Sequence, residues 1–412
     1  MPKFTSKHAA RLASFAATAL LFALAACGGG GGESTGPSES VKSLRVLDYY
    51  TNEPDNSIYT KLLSACGEAN GVTIQREAVP GDTLIQRVLQ QSSSKTLPDV
   101  LMLDNPDLQQ IAATGALTPL DEFGLSAEGY ANGVVDASSY RGKLYGLQPI
   151  TNTIGLFYNK DILANARVKP PATWDELRIA ARQLTSGKQY GLAFAAPANY
   201  EGTWQFLPFM WSNGGDETNI ATPQTAAALQ LLVELVNDGS ASKSVLNWTQ
   251  ADVNDQFMAG NAAMMINGPW QFPVLNQDKS LHYDVVPIPA PKAGATVVAP
   301  LGGETWTVPQ TGNTTRQRKA AKIVECVNSD ENQLLLAKER QTVPTRTALQ
   351  AKFVADQPSM KTFSELVANA RARTSQLGPE WPKAATKIYT AEQSALTGQA
   401  SPAEALEQAQ NG

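Results

Sequence analysis

Histidine is almost missing from this 412-residue chain, which holds His8 and His282 and no other. His8 sits in an N-terminal leader, so a Ser/His/Asp triad, an H-E-x-x-H zinc site or a histidine general base would all have to use His282. That residue lies on an apparent strand, "LHYDVVPIP", where a satisfied structural histidine is the expectation. G-x-S-x-G, a P-loop, an EF-hand loop and a G-x-G-x-x-G opening a helix after a strand are lacking too. Paired carboxylates for glycoside hydrolysis remain open, because their separation is a spatial property. No catalytic residue, cofactor or metal is therefore expected.

Cysteine and positive charge are also scarce. Of Cys27, Cys66 and Cys326, the last two lie in apolar helical patterns; they could pair in an exported protein, but buried free thiols are the favoured reading. Lys and Arg total 33 against 38 Asp and Glu, and three of the basic residues belong to the leader, which leaves the remainder at −8. Phosphate recognition needs a basic face, so nucleic acid is not an expected partner. The one dense basic run, Arg316, Arg318, Lys319 and Lys322, has the spacing of a single solvated helix face.

What the chain has begins with Lys3, Lys7 and Arg11 ahead of an apolar run from Leu12 to Ala26. That is signal-peptide anatomy, and the run falls short of the ~20 residues that a spanning helix needs. Leu24-Ala25-Ala26-Cys27 resembles the bacterial lipobox, after which Cys27 would carry lipid. Residues 1–26 are thus expected to be a lipoprotein signal and 27–41, rich in Gly and Ser, a flexible tether. Export with a lipid anchor facing outside the cytoplasm follows, at the cell surface or in a periplasm.

From Ser43 onward, short β-rich runs alternate with helical stretches: "LRVLDYY", a face with Ile58, Leu62, Cys66 and Ala69, "VTIQREAV", a polar helix from Asp82, and "PDVLMLD". The pattern restarts at "TIGLFYN", with a capping box at Thr173–Glu176, "YGLAFAA", an aromatic helix near Trp204, and a helix from Thr222-Pro223 burying Leu229, Leu232, Val233 and Val236. A nearly all-helical last quarter includes an N-cap at Ser401-Pro402. Such alternation argues for two α/β units with parallel strands and right-handed crossovers. Ligands of such folds sit beyond the carboxyl ends of the strands.

An ordered series of phrases then resembles one family. "LPDVLMLD", "GALTPLDEF", "LYGLQPITNTIGLFYNKDIL", "PATWDEL", "WSNGGD", "FMAGNAAMMINGPW", "PLGGETWTVP", "VPTR" and "ALTGQASPAEALEQA" are similar to the extracellular solute-binding proteins of sugar ABC importers, the group (family 1) with maltose- and trehalose-binding proteins. The resemblance implies a two-lobed periplasmic-binding-protein fold of type II-like form, each lobe a mixed, largely parallel sheet flanked by helices, with ligand in the cleft. By analogy 42–150 plus 291–343 form lobe 1, and 151–290 plus 344–412 lobe 2. A monomer delivering a mono- or oligosaccharide to permease subunits is implied.

It also implies the ligand-binding residues. Trp270 matches a stacking aromatic, against a core tryptophan at a helix start. Glu201 and Trp204 fall where relatives present an acid and a ring; core packing is the rival reading for Trp204 and for Trp211, seven residues on, with Trp204 favoured for the cleft and Trp211 for the core. Asp104 and Asn105, at a strand's carboxyl end, match a hydroxyl-binding position, against helix N-capping. Asn152 stands where relatives carry aspartate. Gly302 and Gly303 suit either close backbone approach to ligand or a tight turn. Arg373 and Trp381 match a cleft-facing element, and Tyr50 and Glu53 would complete the first-lobe wall, against a plain surface loop. Other readings are a binder of polyamine or iron, a surface glycoside hydrolase, or an adhesive lipoprotein.

Overall fold

The computed structural model describes residues 41–412; the leader, Cys27 and all of the tether but Val41 lie outside the described residues. Its first half-sheet is built by β-α-β-α-β succession. Ser43–Asp48 leads through the helix Asp55–Ala69 to Thr73–Ala78, then through the helix Gly81–Ser94 to Val100–Asp104. These three strands are parallel, with Ser43–Asp48 in the middle. On the other side of Val100–Asp104 the strand Glu304–Thr307 runs antiparallel, with Glu304 opposite Asp104, and Gly146–Leu147 closes the edge. Val100 to Leu103 are fully buried. That is why "DVLML" reads as a continuous apolar run rather than an alternating one: helices cover both faces.

The second sheet orders Tyr283–Val286, Gly155–Asn159, Ala262–Asn267 and Tyr190–Ala193. Its pairing is mixed, antiparallel across Gly155–Asn159 and parallel between Ala262–Asn267 and Tyr190–Ala193. Period-2 alternation divides its side chains. Leu156, Met264 and Ile266 pack with Phe206, Leu207 and Phe209 of the helix Tyr200–Ser212 and with the helix Trp381–Leu396. Phe157, Met265 and Val285 point the other way, towards Phe272 and Phe363; these two rings lie 5.5 and 6.0 Å from Phe157.

The helix starts follow their sequence signals. Thr222 accepts from the Thr225 N–H ahead of Pro223–Asn237, and Ser401 and Glu404 form a reciprocal capping box. At Thr173 the box is shifted: Thr173 accepts from the Glu176 N–H, but Glu176 reaches back to Ala172 instead.

Two expectations are corrected. Cys66 and Cys326 are not free thiols; they form a disulfide with Cα atoms 5.8 Å apart, joining Asp55–Ala69 to the helix Thr314–Val327 across 260 positions. Periodicity puts each cysteine on a buried stripe but cannot tell that the two stripes face one another. The basic run is not one solvated face either. Arg316 turns inward to the buried Asp99, Nε to Oδ1 at 2.7 Å, and Lys319 donates to the Asn70 carbonyl at 2.9 Å; Arg318 and Lys322 stay exposed. His282, exposed, places Nδ1 2.9 Å from Asp161 Oδ2.

Candidate functional site

The carboxyl end of Val100–Asp104 is where chemistry gathers. Asp104 holds the N-cap position of the helix Asn105–Ala113, yet its carboxylate caps nothing. Its Oδ1 instead accepts from Arg373 Nη2 at 2.6 Å. The same Nη2 reaches Asn105 Oδ1 at 3.0 Å. Asn105, buried, also donates from its side chain to the Leu301 carbonyl and from its backbone to the Gly303 carbonyl. Arg373 is 3% exposed, with its guanidinium 4.7 Å above the Trp204 ring and 5.4 Å from that of Trp381. A planar cation between aromatic faces and a carboxylate is held in orientation, which suits Arg and not Lys. Its Nε has no partner.

Two of the tryptophans expected at the site take part in this packing. Trp381 is 0% exposed, and Trp204 gives a ring face to Arg373, so neither is an open stacking platform. Trp211 is buried as expected and repeats the arrangement: Arg371 lies 4.5 Å over its ring, while Glu217 accepts from both Arg371 and the indole N–H. The seven-residue helical spacing of the tryptophans faces two arginines two apart, Arg371 on the short strand Arg371–Ala372 and Arg373 in the turn after it.

Beside Arg373 lies an acid the sequence reading did not name. Asp107, 5% exposed, accepts from the Tyr200 hydroxyl at 3.3 Å. Burial pushes its carboxyl up to about 7; the charge of Asp104 adds to this, and Arg373 opposes it. The Tyr200 ring meets Trp381 edge-on at 5.2 Å.

Asn152 and Gly302 exchange backbone hydrogen bonds. A Cβ on Gly302 would stand 2.1 Å from Asn152 Oδ1 and 2.7 Å from Trp204. Gly303 has φ of 127° and would meet Gln148 Nε2 at 2.1 Å. Both glycines are thus required by contacts within the chain itself.

Glu201 Oε2 accepts from the Gln250 N–H, one of the free donors at the start of Gln250–Met258. The Gln250 carbonyl in turn accepts from Asn267 and Gln271. These flank Trp270, which is half-buried and folds over Gly268, where a Cβ would meet the ring at 2.0 Å.

The two residues expected at a first-lobe wall lie in different surroundings. Tyr50 is buried, stacked on Tyr59 at 3.9 Å with Arg340 over it at 4.6 Å. Exposed Glu53 accepts from the Ser57 N–H at the start of the first helix. Tyr49 is the ring left half-exposed, its hydroxyl 2.5 Å from Glu304 Oε1. Burial and the Glu304 charge keep that phenol protonated well above its ordinary range. Only the one-residue phase of the chain leaving the strand separates Tyr49 from Tyr50, and "DYY" carries no signal for it.

Among the described residues no cluster of His, Cys, Asp and Glu is placed to hold a metal ion, and no helix is long and apolar enough to cross a membrane. The cluster holds carboxylates, amides and a guanidinium in fixed orientation at the strand's carboxyl end, with Asp104 keeping access to solvent.

Known proteins carry the same plan. The chain is 22% identical over 406 residues to a galactooligosaccharide-binding protein of Bacillus subtilis, covering 95% of this chain and 93% of the relative. It is 24% identical over 371 residues to a maltooligosaccharide ABC transporter solute-binding lipoprotein of Streptococcus pneumoniae, covering 83% and 81%. The maltose-bound MalE3 of T. maritima superposes with a TM-score of 0.82 at 22% identity, covering 90% of this chain and 98% of that one, so the fold is two-lobed and of maltose-binding type. Residues 61–362 match the sequence profile of the bacterial extracellular solute-binding proteins, and the chain belongs to that family.

Proposed function

We propose that this protein captures a mono- or oligosaccharide outside the cytoplasmic membrane and delivers it to an ABC permease by lobe closure, without chemistry on the solute. The observation that carries the reading is the Asp104–Arg373–Asn105 constellation at a strand's carboxyl end, backed by Trp204 and Trp381. Sugars offer a rim of hydroxyls and apolar C–H faces, so they are held by bidentate carboxylates, amides and guanidinium groups with rings beneath. Asp104, Asn105, Asn152 and Arg373 are assigned to hydroxyls. Half-buried Trp270 and Tyr49 are assigned to sugar faces. Glu201 and Trp204 support them from behind, with Trp381, Tyr50 and Gly303 shaping the walls. The names of the B. subtilis and S. pneumoniae relatives point to oligosaccharides.

Two lobes are assigned as 42–150 plus 291–343 and 151–290 plus 344–412, and Cys27 to the lipid that anchors the chain. A thermal-shift screen of maltose, galactooligosaccharides and other sugars tests the reading. A ligand at a hundredfold excess over its Kd stabilises by about 2.7 kcal/mol, so a clear rise in Tm is expected. No rise with any sugar overturns it. Cys27→Ser should release the protein from host membranes into the soluble fraction.

A further inference from the structure

Asp107 is a buried carboxyl that the hydroxyl-binding scheme does not use. Around it the chain brings together groups from distant segments: Tyr200 from the start of Tyr200–Ser212, Arg373 from the last quarter, and Asp104 from the strand that precedes its own helix. Of the other charged and titratable groups on elements packed against Asn105–Ala113, Glu392 is buried with one carboxyl oxygen unpartnered, Lys387 donates to the Gln410 carbonyl and the Tyr389 hydroxyl to Thr386. Glu380 and Lys383 pair with each other in solvent. Glu304 bonds Tyr49, Tyr140 lies under Arg141, and Asp136 offers its backbone carbonyl to Gln109. One guanidinium thus stands before two carboxyls, and it is hydrogen-bonded to Asp104 alone of the two.

We infer that Asp107 is a positioning residue whose proton holds together the two sides of the solute site. Protonated, it accepts from the Tyr200 hydroxyl without drawing on Arg373, which stays with Asp104 and Asn105. Ionised, it becomes a second anion beside Asp104, competing for Arg373 and repelling its neighbour. The inference rests on the solute-binding reading, in which the segments carrying Tyr200 and Asp107 separate when the site opens. A solvated Asp107 gives up its proton near 4, and in the packed arrangement near 7. Closure therefore takes up a proton between those values, and affinity falls as pH rises, by at most about tenfold per pH unit for one proton.

The test uses the full chain and two readouts. Without ligand, small-angle scattering should give a smaller radius of gyration at pH 5.5 than at pH 8.5, with the difference abolished in Asp107→Asn. With maltose as probe, calorimetry should show affinity falling across that interval in the wild type and flat in Asp107→Asn. A pH-dependent radius that Asp107→Asn abolishes, with no maltose bound at any pH, supports the proton coupling while counting against maltose as the solute. A wild type indifferent to pH, or an Asp107→Asn profile equal to the wild type's, overturns it. If Asp107→Asn does not fold, Tyr200→Phe serves. It removes a hydrogen bond that stabilises the ionised carboxyl, so the midpoint should move to higher pH; an unmoved midpoint overturns the proposal.

Discussion

Arg373 Nη2 and Asp104 Oδ1 lie 2.6 Å apart across 269 positions of sequence. The arginine is almost wholly buried and the aspartate about a quarter exposed. The pair is therefore unequal: removing the carboxylate charge strands a buried cation, whereas the carboxylate itself retains access to water. Asp104→Asn should cost about 1.5–3 kcal/mol of folding stability, the range for hydrogen bonds to charged groups, and should change the ranking of epimeric sugars. Urea denaturation alongside calorimetry with several sugars checks it; an unchanged midpoint and ranking would make the pair ornamental.

Trp270 is half-buried, unlike Trp204 and Trp381. Trp270→Ala should lower affinity for every bound sugar by about 1–3 kcal/mol, between the bonus for aromatic contact and the worth of an interface anchor. Its unliganded Tm should move far less than that of Trp381→Ala. A collapse of the Trp270→Ala melting temperature with affinity intact assigns the ring to the core.

Glu392 is 1% exposed, and burial pushes it up to about 8 with one oxygen lacking any partner. The folded state keeps a proton that the unfolded chain releases near 4.5. Its contribution is thus complete below about pH 4.5 and is lost as pH rises towards 8, at up to about 1.4 kcal/mol per pH unit. Glu392→Gln should flatten the fall in stability between pH 5 and pH 8, read from urea midpoints. A fall of wild-type steepness in the variant refutes the assignment.

Removing the Cys66–Cys326 bridge by Cys326→Ser should destabilise by about 2–5 kcal/mol, as loss of a native disulfide does elsewhere. Thermal melts with and without reductant should differ for the wild type and coincide for the variant.

Local signals explain which parts of this architecture could be read early. Val100 to Leu103 are apolar throughout because both faces of the strand are covered, and its carboxyl end marks Asp104 as a candidate before any contact is known. Thr222 and Ser401 cap their helices because capping needs only the next three residues. What stayed hidden depends on distance in sequence. That Arg373 turns to Asp104, that Cys66 meets Cys326, and that Trp204 is covered by a guanidinium are facts about surfaces brought together late in the chain. Asp107 carried no signal at all, since an aspartate in the first turn of a helix reads as dipole compensation.

The bridge between Cys66 and Cys326 has a topological consequence. It makes a covalent ring of everything from the first helix to the Thr314–Val327 helix, and the whole second sheet lies on that ring. A protease that cuts any one loop inside it opens the ring without releasing a fragment. A nicked molecule would therefore migrate as one species until reduced, and for a protein working outside the reducing cytoplasm, damage of that kind need not mean loss of a piece.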